Sequence, residues 1–145
     1  MTTIELYRLA EQNEIDIQFF NLPETKSISA YIDGKCYIGL DPDVVVRPKE
    51  EHTKLAHEIG HCETGSFYNI YSPLDIRGKH ERQAKNWSIK KLIRKDELIQ
   101  VIKDGLDSAY LLAEYFDVTE DFMIEALEYY DMYFRPCEWL SERMY

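Results

Sequence analysis

Two prolines, Pro42 and Pro48, divide this chain into parts with different periodicity, and that division constrains the fold more than any other feature. Ahead of them, Ile15-Asp16-Ile17-Gln18-Phe19 alternates apolar and polar residues as a half-buried strand does, and the run stops near Asn21-Leu22-Pro23. The stretch from Ser27 to Leu40 carries Asp33-Gly34 between two β-rich runs. That dipeptide accepts the positive φ angles of a type I′ turn, so two antiparallel strands are expected there. A helix is expected over Thr3–Asn13, with Ile4, Leu6, Leu9 and Ala10 on one side.

Beyond Pro48 the pattern is helical. Proline suits the first position of a helix, and Lys49-Glu50-Glu51 places acid where the helix dipole favours it. Leu55, Ile59 and Cys62 fall at i, i+4 and i+7 and form a buried stripe, with Gly65 as the stop. A loop rich in Ser, Tyr, Asn, Pro and Gly runs from Ser66 to Gly78. A second helix follows over Lys79–Ile93, with Ala84, Trp87, Ser88, Leu92 and Ile93 inward. Further helices are expected over Glu97–Ile102, Ser108–Phe116 and Glu120–Phe134. The class is α+β: an N-terminal helix, a small antiparallel or mixed sheet, then a helical bundle. A length of 145 residues suits one domain over 1–145 with a core of its own.

Composition narrows the function. With 17 Lys+Arg against 27 Asp+Glu the net charge is −10, which opposes direct binding of nucleic acid or an anionic membrane, because phosphates require neutralising cations. Cys36, Cys62 and Cys137 are an odd, widely spaced set that fits unpaired thiols in a reducing compartment. No signal peptide and no membrane-spanning run is read, so the expected location is cytoplasmic.

The chemistry is concentrated in Leu55-Ala56-His57-Glu58-Ile59-Gly60-His61-Cys62. Residues four apart on a helix lie one above the other, so His57 and His61 can both reach one Zn²⁺ at about 2.0–2.1 Å. Glu58, rotated one position on, can take a proton from a water there without filling a ligand position; this is the H-E-x-x-H arrangement of zincins. With four His in the chain, a chance match is on the order of one in a hundred, and its place on an amphipathic helix adds weight against chance.

A catalytic zinc takes three protein ligands and keeps an open position. Glu81 is the best third candidate: it opens the next expected helix, and Ala84, one turn later, is small enough to let that helix approach the first. Two histidines and a glutamate match the His₂Glu set of thermolysin-type sites. His80, Asp75 and Glu63 compete. Glu63 points away from the ligand face, and His80, adjacent to Glu81, cannot share its direction. The bland alternative for Glu81 is an N-terminal helix acid stabilised by the dipole.

His57-Glu58-Ile59-Gly60-His61, followed by Glu81-x-x-Ala84-x-Asn86-Trp87, resembles the ImmA/IrrE family of metallopeptidases found in prophages, mobile elements and bacterial stress-response loci. The resemblance covers most of the chain. It implies a zincin-like fold, His57, His61 and Glu81 as ligands of one zinc ion, and Glu58 as the catalytic carboxylate. The chain departs from the family pattern after Glu81: Asn86 and Trp87 are displaced or replaced, Ser88 stands for a small Ala, and Leu92-Ile93-Arg94 lacks the usual Pro. The resemblance further implies a narrow protein substrate, a helix-turn-helix repressor of a phage or mobile element. Another class of function competes, a weakly catalytic or non-catalytic binding module in a toxin–antitoxin-like pair that retains the zinc site.

Other features read as ordinary structure. The segment Leu112–Phe122 resembles a helix-turn-helix, but its second helix carries Glu120, Asp121, Glu125, Glu128 and Asp131, so a packed helical hairpin is expected. Tyr129, Tyr130, Tyr133, Phe134 and Trp139 read as core or interface. The Lys90–Lys95 basic run reads as a solvated helix end, and Cys62 as a small buried apolar residue. His80, Tyr68, Tyr71 and Arg77 are candidate oxyanion donors among which the sequence does not choose. A peptide substrate would add to the edge of the small sheet, with strand 35–40 as the expected receiving strand.

Overall fold

The Asp33-Gly34 turn organises the first half of the computed structural model, which describes residues 1–69 and 71–131. Both residues have positive φ, 51° and 79°, as a type I′ turn requires. They join β2 (Ser27–Ile32) to β3 (Lys35–Leu40) in antiparallel register, Ser27 opposite Leu40 and Ile32 opposite Lys35. β1 (Asp16–Phe19) pairs in parallel with the other side of β3, giving a mixed sheet of order β1-β3-β2. Strand 35–40 is therefore central, against the expectation that it receives a peptide at an edge, and among the described residues β2 is the strand of the hairpin paired on one side. Hairpin closure and β1 occupy both sides of β3, which the sequence does not disclose.

α1 (Thr3–Gln12) begins at a Thr2 cap whose hydroxyl accepts from Glu5 N. Leu6 and Ala10 are buried, but Ile4 is 65% exposed, so the apolar face is narrower than expected. α2 (Pro42–Val45) is a short helix that was not expected. Asp41 caps it by accepting from Asp43 N at 2.8 Å while its other oxygen accepts from Leu22 N at 2.7 Å. One carboxylate thus ties the strand exit to the turn after β1.

α3 (Pro48–Thr64) packs across β2 and β3, with Leu55 and Ile59 buried alongside Ile38 and Leu40. Full burial of such side chains is worth roughly 1.5–3 kcal/mol each. Gly65 ends α3 at φ 65°, where a Cβ would be disfavoured. Cys62 departs from expectation: it is half-buried and forms a disulfide with Cys36 of β3. The pairing links positions 26 residues apart that only the packing of α3 on the sheet brings together.

α4 (Leu74–Leu92) starts five residues earlier than the expected Lys79, because Pro73 opens it and Gly78 is carried inside it. Ala84, Ser88, Leu92 and Ile93 are buried as expected, and Trp87 is half-buried. The chain forms two compact units, Met1–Ser88 and one beginning at Ile89. In the second, α5 (Lys95–Lys103), α6 (Ala109–Phe116) and α7 (Glu120–Tyr129) are present, and α6 packs on α7 through the αL residue Asp117 and the Thr119 cap. The Tyr130 hydroxyl donates to the Ile93 carbonyl at 2.6 Å. Tyr133, Phe134, Cys137 and Trp139 lie outside the described residues. Among the described residues, no helix is long and apolar enough to cross a membrane.

Two stability experiments follow. The backbone donors Asp43 N and then Leu22 N hold the Asp41 carboxyl below its usual pKa, so its contribution is present above the ordinary carboxylate range and is lost as pH falls through the depressed value. Asp41→Ala is expected to lower the thermal midpoint at neutral pH, with the gap to wild type closing below about pH 4. Replacing both cysteines, Cys36→Ser with Cys62→Ser, is expected to lower unfolding stability in urea by about 3 kcal/mol through the lost loop constraint.

Candidate metal centre

His57 and His61 stand one turn apart on α3, their ring centroids 4.9 Å apart and their planes nearly perpendicular at 88°. Glu81, on α4, meets both: one carboxylate oxygen is 2.8 Å from His57 Nε2 and the other 3.1 Å from His61 Nε2. Three potential ligand atoms, one from each residue, lie within 4.8 Å of one another. Because α4 begins at Leu74, Glu81 sits two turns inside that helix. The dipole-stabilised N-terminal acid is thus set aside as an explanation of its position.

The end of α3 orients His61. Gly65 turns the chain back so that Ser66 N bonds the His61 carbonyl at 3.1 Å and the Ser66 carbonyl accepts from His61 Nδ1 at 2.5 Å. A histidine donating from Nδ1 presents its Nε2 toward the shared space, the arrangement by which outer partners set the tautomer of metal-binding imidazoles. Ser66 is buried and shares a hydrogen bond with Thr64 Oγ1. Nothing in the sequence marks Ser66 except the glycine that precedes it.

Charge in the cluster is tightly shared. Burial by itself would lower the His61 pKa, but the hydrogen bonds to Glu81 and the Ser66 carbonyl, together with the Glu58 and Glu81 charges, raise it above 6.5. Glu81 is held well below the usual carboxylate range, first by the His57 hydrogen bond and then by that of His61. Two imidazoles and one carboxylate converging on a common space, with protons between them, form a donor set that a divalent cation fits by replacing those protons.

Glu58 is 6% exposed and accepts a 2.7 Å hydrogen bond from the Ser27 hydroxyl of β2. Tyr68 donates to Glu81 at 2.8 Å, and burial first, then the Glu81 interaction, pushes its pKa up to about 12. Tyr68 is the oxyanion candidate that the structure brings to the cluster. Tyr71 is 87% exposed, Arg77 lies 5.9 Å from the Tyr68 ring centre, and His80 stacks on the same ring. The competing ligands do not join: Glu63 is exposed and bonded by Asn13, Asp75 is exposed, and His80 Nδ1 is buried with no hydrogen-bond partner among the described residues. A cavity of about 230 Å³ opens onto this cluster, lined by Ser27, Ile28, Glu58, His61, Tyr68 and Glu81 among others.

The family model of M78 peptidases, described as an IrrE N-terminal-like domain, matches residues 10–128. No curated protein sequence matches the chain at a significant level. Among solved structures, a Mycobacterium tuberculosis transcriptional regulator shares the fold with a TM-score of 0.64 at 18% identity, over 86% of this chain and 40% of that one. The chain thus spans about two-fifths of that protein's length, and at this identity the likeness concerns the fold.

Close approach of α3 and α4 depends on Gly60. A Cβ there would lie 2.6 Å from the Ala84 carbonyl oxygen and 3.3 Å from its Cα, so backbone would have to give way. Glu81 is one turn from Ala84 and moves with it. Gly60→Ala is therefore expected to weaken binding of a divalent metal ion at this cluster on the order of ten- to a hundred-fold, measured by competition with a metal chelator. Gly78 has nothing within 4 Å of an added Cβ. Gly78→Ala is expected to raise stability by about 0.5–1 kcal/mol and to leave the affinity of the cluster for a divalent metal ion unchanged.

Proposed function

Because the chain belongs to the IrrE N-terminal-like family of M78 peptidases, we propose that it is a zinc-dependent endopeptidase whose substrate is a helix-turn-helix repressor or similar regulator of a phage or mobile element. The observation that carries the reading is the meeting of His57, His61 and Glu81 from two helices, with the buried carboxylate of Glu58 on the same cavity. His57 and His61 through Nε2, and Glu81 through its carboxylate, would hold the ion. A zinc ion in such a set supplies Lewis acidity and brings the pKa of a water down to ~7.

The remaining steps belong to the protein. Glu58 accepts the proton of the attacking water and returns it to the leaving amine, a general acid–base role for which its side chain is placed beside the ligand helix face. Tyr68 remains a neutral donor at physiological pH, since its pKa is pushed up to about 12, and offers its hydroxyl to the developing oxyanion. The start of β2 lines the same cavity, and the open side of that strand offers main-chain donors and acceptors to an extended peptide. A narrow regulatory substrate suits a cavity of this size, and the −10 charge is compatible with acting on a DNA-binding protein without binding DNA.

Metal analysis with Glu58→Gln tests this. The wild type is expected to carry one zinc per chain and to cleave the repressor encoded beside it. Glu58→Gln is expected to keep the zinc and lose cleavage by at least about a hundred-fold, a general-base effect. Undiminished cleavage by the variant, or a wild type without zinc, overturns the reading. A stable complex with the repressor and no cleavage would instead make the protein a binding module.

A further inference from the structure

Glu58 is a buried carboxylate, and a carboxylate can only accept hydrogen bonds, so burial demands a donor. Ser27 supplies one at 2.7 Å to Glu58 Oε2 from a different element, 31 residues away in sequence. The placement of Ser27 is itself closely determined. Lys26 adopts a left-handed conformation at φ 66°, its N–H bonds the Leu22 carbonyl at 3.0 Å, and its carbonyl accepts from Asp41 N at 2.9 Å. Ser27 then begins β2 opposite Leu40 of the central strand. A free glutamate on a helix has three rotatable bonds, and this hydroxyl removes much of that freedom at one carboxylate oxygen.

We propose that Ser27 is a positioning residue, whose hydroxyl holds the Glu58 carboxylate facing the His57/His61/Glu81 cluster and leaves Oε1 as the oxygen that exchanges protons. The catalytic consequence deepens the peptidase reading and rests on it. The positioning does not. Ser27 also lines the cavity together with Ile28 and Ser29 of the same strand, so a peptide added to β2 bears directly on the residue that orients the base. Base orientation and substrate seating are thereby linked through one strand.

Crystal structures of the zinc-loaded wild type, Ser27→Ala and Ser27→Thr test the proposal together with cleavage of the repressor encoded beside it. The wild type and Ser27→Thr are expected to show one Glu58 carboxylate position bonded to the hydroxyl. Ser27→Ala is expected to show that carboxylate displaced or spread over several rotamers, with zinc content unchanged. In cleavage, Ser27→Ala is expected to lower kcat about ten- to a hundred-fold with KM unchanged, the size of a lost hydrogen bond to a charged group, and Ser27→Thr to restore it to within about three-fold. A single, unmoved Glu58 in Ser27→Ala overturns the proposal, as does an unchanged kcat where Glu58→Gln is inactive. If Ser27→Ala does not fold, Ser27→Cys, a near-isostere with a weak donor, is expected to show the same displacement and loss, and its absence overturns the proposal. A wild type that leaves that repressor intact counts against the peptidase reading alone, and the Glu58 positions then decide the role of Ser27.

Discussion

The contact between Gly60 and Ala84 governs the rest of the site. Two helices approach so closely there that a single methyl group on Gly60 would meet main-chain oxygen at 2.6 Å. Side chains can rotate away from a clash, but a helix backbone can only move as a body. The absence of a Cβ at this position therefore sets how far Glu81 reaches, and with it whether one carboxylate can meet His57 and His61 together. The intervening glycine of the H-E-x-x-H segment thus has a role of its own: it determines the distance between the helices that carry His57, His61 and Glu81.

Around that contact, each functional side chain is held by a group from another part of the first unit. The Ser66 carbonyl, delivered by the left-handed turn at Gly65, orients His61. Tyr68 from the following loop holds Glu81. Ser27 from the sheet holds Glu58. Such outer partners fix ring and carboxylate orientation before any ion or molecule arrives. The disulfide between Cys36 and Cys62 joins β3 to the residue directly after His61, so α3 is tied to the sheet covalently as well as by packing.

The mixed sheet has a comparable division of labour. β3 is paired on both sides and lends Ile38 and Leu40 to the core, while β2, paired on one side among the described residues, lends Ser27, Ile28 and Ser29 to the cavity. A hairpin turned by Asp33-Gly34 makes this possible, because it fixes the register that puts Ser27 at the end of β2 nearest the strand exit at Leu40. Asp41 then bonds both the following helix and the preceding turn, holding that exit in place.

Much of this was legible in the residues taken alone, wherever the determinant is local. The type I′ turn, the Pro48 start and Gly65 stop of α3, and the one-turn spacing of His57 and His61 all depend on a few neighbouring positions. Glu81 was legible because Ala84 advertised a close helix contact. What depended on distant partners was not. The sequence could not say that β1 would insert beside β3 and make it central, that Cys36 would meet Cys62, that Ile4 would face solvent, or that Ser27 would find Glu58. Each of these follows from packing elements against one another, where the decisive distance is through space and leaves no periodicity in the chain. The residue types and helical spacing therefore determined which groups could carry the chemistry, and the tertiary structure decided which of them meet, because convergence of side chains from α3, α4 and β2 is a property of how those elements pack.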